Sequence, residues 1–191
     1  MDGQMLSNAQ ILDCLERGVI TLEPFDHRNL RLAHYRLRPS QLWRPSHQLP
    51  DGSHQRTFLH DFGDGPYEFR PKEYLVVTPL EHVTIHGNLV GSMLPASTLV
   101  DQCFSLTAGK LDPGYGNIGE QKQDFIMGLT NLLDKPNWFH PGQGVANIAF
   151  TDFRASKVLP TSWSIDERRI FQDRERRRRA EDDGPFYDEE I

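Results

Sequence analysis

The chain of 191 residues carries 21 lysines and arginines against 27 aspartates and glutamates, which gives a formal net charge of −6. This negative balance disfavours general nucleic-acid binding, and no apolar run is long enough to predict a membrane-spanning helix. The first residues lack the architecture of a signal peptide, and the 2 cysteines lie far apart without metal-ligand spacing. We therefore expect a cytoplasmic protein that makes no membrane contact.

The predicted elements begin with a short helix near the amino terminus. Ser7 and Gln10 form a capping box, and Gly18 is a natural stop. After this helix, short apolar runs alternate with Pro, Gly, Asn and Asp, which is typical of an all-β sandwich or barrel. The polar, proline-rich stretch 40–56 is predicted to be a surface loop. The apolar runs predict strands at residues 19–25, 33–39, 57–62, 73–80, 82–91, 103–112, 125–133 and 144–150.

The last part of the chain has a different, highly charged composition. Ser164 and Glu167 form a second capping box, and the residues that follow predict a charged helix over 164–180. We therefore divide the chain into a β domain of residues 1–158 and a helical appendage of residues 159–191.

Four consecutive arginines at 176–179 leave two hypotheses open for this appendage. The arginines contact nucleic acid, or they lie on a helix that docks on another protein. Acidic residues on both sides of the run offset the charge that phosphate binding needs, so we favour a protein partner. The predicted contact residues are the apolar Ile170 and Phe171, together with Arg176 and Arg177.

Six segments carry a resemblance to a known family. They read MLSNAQILDCLERGVITLEPFD (5–26), LRLAHYRLRP (30–39), RPKEYLVVTPLEHVTIHGNLVG (70–91), TAGKLDPGY (107–115), LTNLLDKP (129–136) and HPGQGVANIAF (140–150). Each segment alone is a weak signal. In this order, however, they resemble the dCTP deaminase branch of the dUTPase superfamily, over most of residues 5–150.

The resemblance implies a mainly β, distorted jelly-roll fold of the dUTPase type, with a short N-terminal helix and a charged C-terminal helix. It also implies a homotrimer with nucleotide sites between adjacent subunits. In the family, a glutamate in the strand before a T-N turn is the general base, and a G-R-S-S-L-A-R segment holds the triphosphate. No metal is required for the chemistry, and magnesium enters only with the phosphates of a bound nucleotide.

The chain departs from the family's pattern at three places. Compared with L-E-L-T-N-x-x-x-K-P, the sequence puts Gly128 at the general-base position, and glycine cannot accept a proton. The family's R-S-S-L-A-R falls on residues 96–101, so both arginines are absent and Asp101 replaces the second. In the first motif Arg36 stands at the family's aspartate, and His34 at its serine. These departures predict that deaminase chemistry has been lost.

Five residues are candidates for nucleotide binding or for chemistry. Asp112 either activates water, as the matching aspartate does in related dUTPases, or caps a turn, which we favour. Glu120 is either a relocated base or a solvated loop residue, and we favour the latter. Ser97, Thr98, Asp112 and Tyr115 are the predicted nucleotide contacts. No metal site is predicted.

Two functional hypotheses follow. The first is a trimeric binding protein that has lost deamination and either senses a pyrimidine nucleotide or serves as a protein-binding scaffold. It would require no cofactor, and magnesium would accompany only a bound nucleotide. The second is an active dCTP deaminase or dUTPase of pyrimidine deoxynucleotide metabolism with relocated catalytic residues.

Overall fold

The computed structural model describes residues 3–46, 55–113 and 125–153, together with the backbone of 117–118 and 121–122. Within these ranges the α-helices are α1 (Asn8–Glu16) and α2 (Ser97–Asp101). The strands are β1 (Gln4–Met5), β2 (Ile20–Glu23), β3 (Tyr35–Leu37), β4 (Pro39–Arg44), β5 (Thr57–Asp61), β6 (Tyr67–Phe69), β7 (Tyr74–Pro79), β8 (His82–Ile85), β9 (Leu89–Pro95), β10 (Phe104–Thr107), β11 (Lys110–Leu111), β12 (Asn117–Ile118), β13 (Gln121–Lys122), β14 (Met127–Asn131), β15 (Asn137–Phe139) and β16 (Ala146–Asp152). The predicted mainly β fold is confirmed.

Helix α1 begins at the predicted capping box. The Ser7 Oγ accepts a hydrogen bond from the Gln10 N–H at 3.4 Å, and the Gln10 Oε1 accepts one from the Ser7 N–H at 2.9 Å. Ile11 and Cys14 are buried on the inner face of the helix. Gly18, with φ of 66°, follows its last turn, a backbone conformation that favours glycine. The local signals for this helix were sufficient to predict it.

Two antiparallel sheets build the domain. The first has the strand order β1-β16-β9-β11, with β3 also paired to β16, and the second has the order β10-β14-β7-β4-β5. Three further strand pairs are β12-β13, β15-β6 and β2-β8. Strands of both sheets contribute to one apolar core. Its largest fully buried side chains are Tyr35, Phe69, Phe139 and Phe150.

The prediction of a loop over 40–56 is wrong for its first part. Residues Pro39–Arg44 form β4, which lies between β7 and β5 in the second sheet. Leu42 is 0% exposed and packs in the core. The register of β4 shifts near Pro39, an irregular position where a missing N–H is tolerated. Burial of Leu42 therefore outweighs the turn-forming composition of the segment.

Two of the predicted strands each divide into two. The run 82–91 forms β8 and the first part of β9, with a turn at Gly87, where φ is 70°. The run 103–112 forms β10, which pairs with β14, and β11, which pairs with β9 in the other sheet. A single apolar run does not reveal that its two ends belong to different sheets, because both ends alternate in the same way.

Several predictions fall outside the described residues. These are Tyr115, Glu120, the boundary at residue 158 and the charged helix over 164–180, with its predicted contact residues. Within the described ranges, neither helix is long and apolar enough to cross a membrane.

Candidate functional site

The candidate site is the face of β14 that points away from the core. Met127 and Leu129 are 2% and 0% exposed and pack inside the domain. Because side chains alternate along a strand, Gly128 and Thr130 belong to the opposite face. Strand β14 lies between β10 and β7, so this face has neighbours on both sides.

The register of the sheet identifies the neighbours of Gly128. Thr107 of β10 and Val76 of β7 lie directly opposite it. Thr130, the next residue of β14 on the same face, lies opposite Tyr74 of β7. Tyr74 is thus a diagonal neighbour of Gly128, at a separation that an aromatic side chain can bridge.

The Tyr74 side chain occupies the space beside Gly128. A Cβ atom added to Gly128 would lie 2.5 Å from Cε2 and 2.7 Å from Cζ of Tyr74, and would also contact its hydroxyl oxygen. These distances are below the 3.0 Å that Cβ atoms keep from other heavy atoms. A larger residue at position 128 therefore requires the Tyr74 ring to move. Glycine is needed here for the close approach of another group.

This arrangement leaves the strand without a general base. The side chains directly opposite Gly128 are the hydroxyl and methyl groups of Thr107 and the methyl groups of Val76. Proton abstraction needs a group such as a carboxylate or an imidazole within hydrogen-bond reach of the water or substrate. The position that the resemblance assigns to a glutamate carries a backbone covered by the Tyr74 ring.

The T-N turn at the end of β14 is built by Asn131, which is 0% exposed. Its Nδ2 donates hydrogen bonds to the carbonyl oxygens of Arg70 and Lys135, both at 2.9 Å. Its Oδ1 accepts a bond from the Leu133 N–H at 3.0 Å. One buried side chain thus satisfies three backbone groups, so this part of the family motif has a structural role here.

The segment that corresponds to the family's phosphate-holding motif forms α2. Ala96 and Leu99 are buried, whereas Ser97, Val100 and Asp101 are exposed. The sequence contains no lysine or arginine between Lys72 and Lys110, so this helix supplies no cation of its own. Its last residue, Asp101, adds a negative charge instead.

Two buried polar atoms on this segment have no hydrogen-bond partner within the described ranges. They are the Oγ1 of Thr98 and the Oε1 of Gln102. The backbone carbonyl of Gln102, in contrast, accepts a hydrogen bond from the Asn137 Nδ2 at 2.7 Å. Buried polar atoms normally find a partner in a protein or in ordered water. Of the predicted nucleotide contacts that the structure describes, Thr98 is thus the one with a buried polar atom that has no partner among the described residues.

Asp112 follows β11 directly and is half-buried. Its Oδ1 lies 3.8 Å from the Nζ of Lys110, and the side chains of Lys110 and Asp112 are 68% and 49% exposed. An ion pair of this kind contributes little to stability. Asp112 and Ser97 are thus located, but no described contact joins them to Gly128.

The first motif of the resemblance also has its own geometry. The side chain of Arg36 crosses the backbone of Gly144, because a Cβ added to Gly144 would lie 2.5 Å from the Arg36 Cγ and would also contact its Cδ. Burial, and then the nearby guanidinium groups of Arg31 and Arg36, lowers the pKa of His34. The guanidinium groups of Arg31 and Arg36 therefore lie near His34, in the motif where the family has an aspartate and a serine.

Arg38, two residues further on, belongs to a buried network. Its Nε lies 2.7 Å from the Glu81 Oε1, and its backbone N–H donates to the Glu81 Oε2 at 2.9 Å. Glu81 is 1% exposed. A buried carboxylate needs such partners, so this pair stabilises the fold rather than a ligand.

Tyr74 and Gln102 are residues of the site that the sequence analysis missed, and Tyr74 is the more important of the two. It was assigned only to a predicted strand, 73–80. Its role depends on the register between β7 and β14, which the sequence does not specify. A glycine inside a buried strand was the available signal, because it indicates that another group approaches closely.

The fold and the site together define a mainly antiparallel β protein with a buried asparagine turn at the end of β14 and a glycine in place of a general base. The profile of the dCTP deaminase-like family matches residues 5–153, and the chain belongs to this family. It is similar to the dUMP-forming dCTP deaminase of Methanothermobacter thermautotrophicus, with 26% identity over 94% of this chain and 95% of that protein. It is also similar to the dCTP deaminase of Halorubrum lacusprofundi, with 26% identity over 90% of this chain and 87% of that protein.

A solved structure shares the fold. The 2'-deoxycytidine 5'-triphosphate deaminase from Agrobacterium tumefaciens superposes with a TM-score of 0.58 and 12% sequence identity. The match covers 80% of this chain and 49% of that chain, so the present protein spans about half of its length.

Proposed function

We propose that this protein is a dCTP deaminase-like protein without deaminase activity, which acts by binding rather than by chemistry. The observation that carries the proposal is the Tyr74 ring beside Gly128, at the position of the family's general base. A positioned general base contributes about 10²- to 10⁴-fold to a rate. Here the base is missing, and an aromatic side chain fills the space where it would stand.

The composition of α2 supports the same proposal. Electrostatic stabilisation of a reacting nucleotide relies on cations and oriented donors around the phosphates. Residues 96–101 contain neither arginine of the family motif, and Asp101 would repel a phosphate. The loss therefore affects the chemistry and the triphosphate contacts together.

The ligand of this binding protein is a pyrimidine nucleotide, a protein partner or both. For a nucleotide, the unpaired Thr98 Oγ1 and Gln102 Oε1 would provide polar contacts, with Ser97, Asp112 and Tyr115 as further candidates. Magnesium would enter only with the phosphates, and no other cofactor is needed. We propose a cytoplasmic homotrimer, by analogy with the family.

The enzymatic part of the proposal is tested by product formation. The purified full chain is incubated with dCTP and with dUTP, and ammonia and diphosphate are measured beside the Methanothermobacter thermautotrophicus enzyme as the active control. We expect neither product above the background rate. Turnover at a rate comparable to that of the control would refute the proposal.

The binding part is tested by a thermal-shift panel of nucleotides with magnesium. A ligand at about 100-fold excess over its dissociation constant stabilises a protein by about 2.7 kcal/mol, which is readily visible as a rise in Tm. Stabilisation by a pyrimidine nucleotide supports the sensor. If no nucleotide raises the Tm, the sensor is excluded and the scaffold role stands alone.

The scaffold role predicts that the C-terminal segment contacts a protein. Burial of a phenylalanine side chain stabilises by roughly 1.5–3 kcal/mol, which exceeds the contribution of an exposed ion pair. Once a partner is known, Phe171→Ala and Ile170→Ala should weaken docking much more than Arg176→Ala or Arg177→Ala. Dominant arginine effects with a steep salt dependence would indicate nucleic acid instead.

The names of the curated relatives favour a second candidate, an active dCTP deaminase or dUTPase with relocated residues. In that case Glu120 or Asp112 replaces the missing base. If ammonia or diphosphate is released, Glu120→Gln or Asp112→Asn, whichever removes the relocated base, would abolish it, whereas Asp101→Asn would not.

A further inference from the structure

A group of cationic side chains lies on the hairpin that leads into β3. The chain reverses between Arg31 and His34, where the Arg31 N–H donates a hydrogen bond to the His34 carbonyl at 2.8 Å. Leu30 bridges to Tyr35 at the next position of the hairpin. Residues directly opposite each other in an antiparallel pair have Cβ atoms about 4.5–5.5 Å apart on one face. The side chains of Arg31 and His34 are therefore neighbours.

Arg36 lies on the same face, two residues beyond His34. Tyr35 and Leu37 are 0% exposed and point into the core, so alternation along the strand places His34 and Arg36 on the outer face. Burial, and then the charges of Arg31 and Arg36, lowers the pKa of His34, so the three groups are within electrostatic reach of one another. Arg31, His34 and Arg36, called the cationic cluster below, thus share one surface.

The two arginines of the cationic cluster have no anionic partner among the described residues. Neither guanidinium group makes an ion pair or a hydrogen bond within the described ranges. Arg17, Arg28 and Arg38, in contrast, each form an ion pair with an aspartate or a glutamate. Like charges at close spacing disfavour one another, and an anion bound between them would relieve this repulsion. The cluster therefore has the charge to hold an anion from outside.

Arg36 is held in place by packing rather than by an ion pair. A Cβ added to Gly144 would lie 2.5 Å from the Arg36 Cγ and would also contact its Cδ, so the aliphatic part of this side chain lies against the Gly144 backbone. The guanidinium group is thereby positioned before any ligand binds, which reduces the entropy cost of holding an anion. Opposite Arg36, Asn147 of β16 adds an amide group that makes no hydrogen bond in the described part of the chain.

The register of the sheet relates the cationic cluster to α2. Arg36 is opposite Asn147 of β16, and Asn147 is opposite Leu94 of β9, which is 49% exposed. Neighbouring strands are about 4.8 Å apart, so two spacings, roughly 10 Å, separate the backbones at Arg36 and Leu94. Helix α2 begins three residues after Leu94 and contains no cation. The positive charge that is absent from α2 is thus present two strands away, on β3.

We propose that the cationic cluster of Arg31, His34 and Arg36 is a binding site for a phosphate-type anion, either free or as part of a nucleotide. The two guanidinium groups, the Asn147 amide and a ring N–H of His34 donate hydrogen bonds to the phosphate oxygens. The planar fork of arginine matches phosphate geometry, and a terminal phosphate offers three strong acceptor oxygens to donors on several sides. Binding of the free anion does not depend on the nucleotide sensor proposed above.

Calorimetric titration of the full chain with diphosphate, without magnesium, tests the site. The titration is done in about 0.1 M chloride, where the Debye length is about 10 Å and diffuse attraction between separated charges is screened. We expect saturable binding with a Kd below about 1 mM. Absence of binding at this affinity overturns the proposal. Equally tight binding of glutarate, a dicarboxylate, also overturns it, because the cluster would then not select phosphate.

The variants Arg36→Gln and Arg17→Gln form a matched pair. Each removes one guanidinium group from the protein, but Arg17 belongs to α1 and pairs with Asp13. Arg36→Gln should weaken diphosphate binding about ten-fold, as expected for the loss of charge-assisted hydrogen bonds, and Arg17→Gln should have no effect. Equal affinities of the wild type and Arg36→Gln would overturn the proposal.

Two glycine variants test the position of Arg36 without changing any charge. Gly144→Ala places a Cβ where the Arg36 side chain now lies, whereas a Cβ at Gly142 meets no atom within 4 Å. Gly144→Ala should weaken diphosphate binding several-fold, and Gly142→Ala should leave it unchanged, with circular dichroism to verify that both are folded. Unchanged binding by folded Gly144→Ala would refute the geometry of the site.

Titration with dCTP distinguishes a nucleotide from a free anion. Tighter binding of dCTP than of diphosphate, with the same loss in Arg36→Gln, would place the phosphates of a nucleotide at the cluster, a result that rests on the proposed nucleotide sensor. Equal affinities for dCTP and diphosphate would assign the site to the phosphate group alone and support it even if the sensor fails. Binding of dCTP that is insensitive to Arg36→Gln would support the sensor and overturn the present proposal.

Discussion

Asn131 and Gly128 lie three residues apart on β14, and they differ in what the fold requires of them. Asn131 is buried and satisfies three backbone groups, so the turn depends on it. Position 128 faces away from the core, and a catalytic side chain there would contribute nothing to folding. A fold therefore constrains its turn residues more strongly than its catalytic residues, because only the turn residues contribute to stability.

The largest expected effect comes from removing the turn residue. Asn131→Ala leaves the Arg70 and Lys135 carbonyls and the Leu133 N–H without their partner. Each unsatisfied buried group costs about 1–3 kcal/mol, although water can reach part of the turn, so we expect a loss of about 3 kcal/mol in the free energy of unfolding. Urea denaturation measures it.

Asn137→Ala is the control for this prediction. It removes one hydrogen bond, to the Gln102 carbonyl, and should cost about 1 kcal/mol. Equal losses for the two variants would show that the turn at Asn131 has no special weight in the fold.

The next effect concerns the packing of Tyr74 on Gly128. Gly128→Ala forces the ring to move, and overpacking of this kind costs about 1–3 kcal/mol. Because Tyr74 is 42% exposed and can swing toward solvent, we expect the lower end of that range. In a Tyr74→Ala background the same change should cost almost nothing, so a double-mutant cycle by urea denaturation should report a clear coupling.

Gly109→Ala is the matched control, because a Cβ at Gly109 meets no atom within 4 Å. It should leave stability unchanged or raise it slightly. Additive effects of Gly128→Ala and Tyr74→Ala would contradict the close approach of the ring.

The smallest effect is a pH dependence of the stability of the folded protein. Hydrogen bonds from the Arg28 side chain, and then from the Arg28 backbone N–H, lower the pKa of Asp26 from 3.8 to about 2. A carboxyl group whose pKa is depressed in the folded state stabilises above its unfolded pKa and loses that contribution as the pH falls through the folded value. The contribution of Asp26 is therefore present above pH 4 and lost between about pH 4 and 2.

The test compares the Tm of the wild type and of Asp26→Asn from pH 5 to pH 2. The wild type should be the more stable at pH 5, and the difference should shrink toward pH 2. A difference that stays constant with pH would mean that Asp26 remains charged or does not contribute through Arg28. The Arg28 side chain is 89% exposed, which makes the effect small.

Local signals in the sequence predicted some of these features well. The capping box of Ser7 and Gln10 and the glycine at position 18 mark the two ends of α1 by local signals alone. The absence of a base at position 128 could also be inferred, because the T-N motif next to it is intact. Each of these inferences needs only residues that are neighbours in the chain.

The features that could not be predicted depend on pairing between distant strands. Tyr74 covers Gly128 only because of the register between β7 and β14. Strand β4 has a polar, proline-containing sequence and is held in place by the burial of Leu42 and by pairing with two neighbours. The division of 103–112 between two sheets is likewise a property of the assembled fold.

The pairing of β1 with β16 has a consequence for how the protein folds during synthesis. Gln4 lies opposite Asp152, so the first and last described strands are neighbours in one sheet. Strand β16 also supplies the partner for β3 and for the whole of β9. This sheet cannot close until residue 152 has left the ribosome, and such non-local contacts make folding slow. A nascent chain that stalls before this point would expose the edges of β3 and β9, which makes premature termination products of this protein candidates for aggregation.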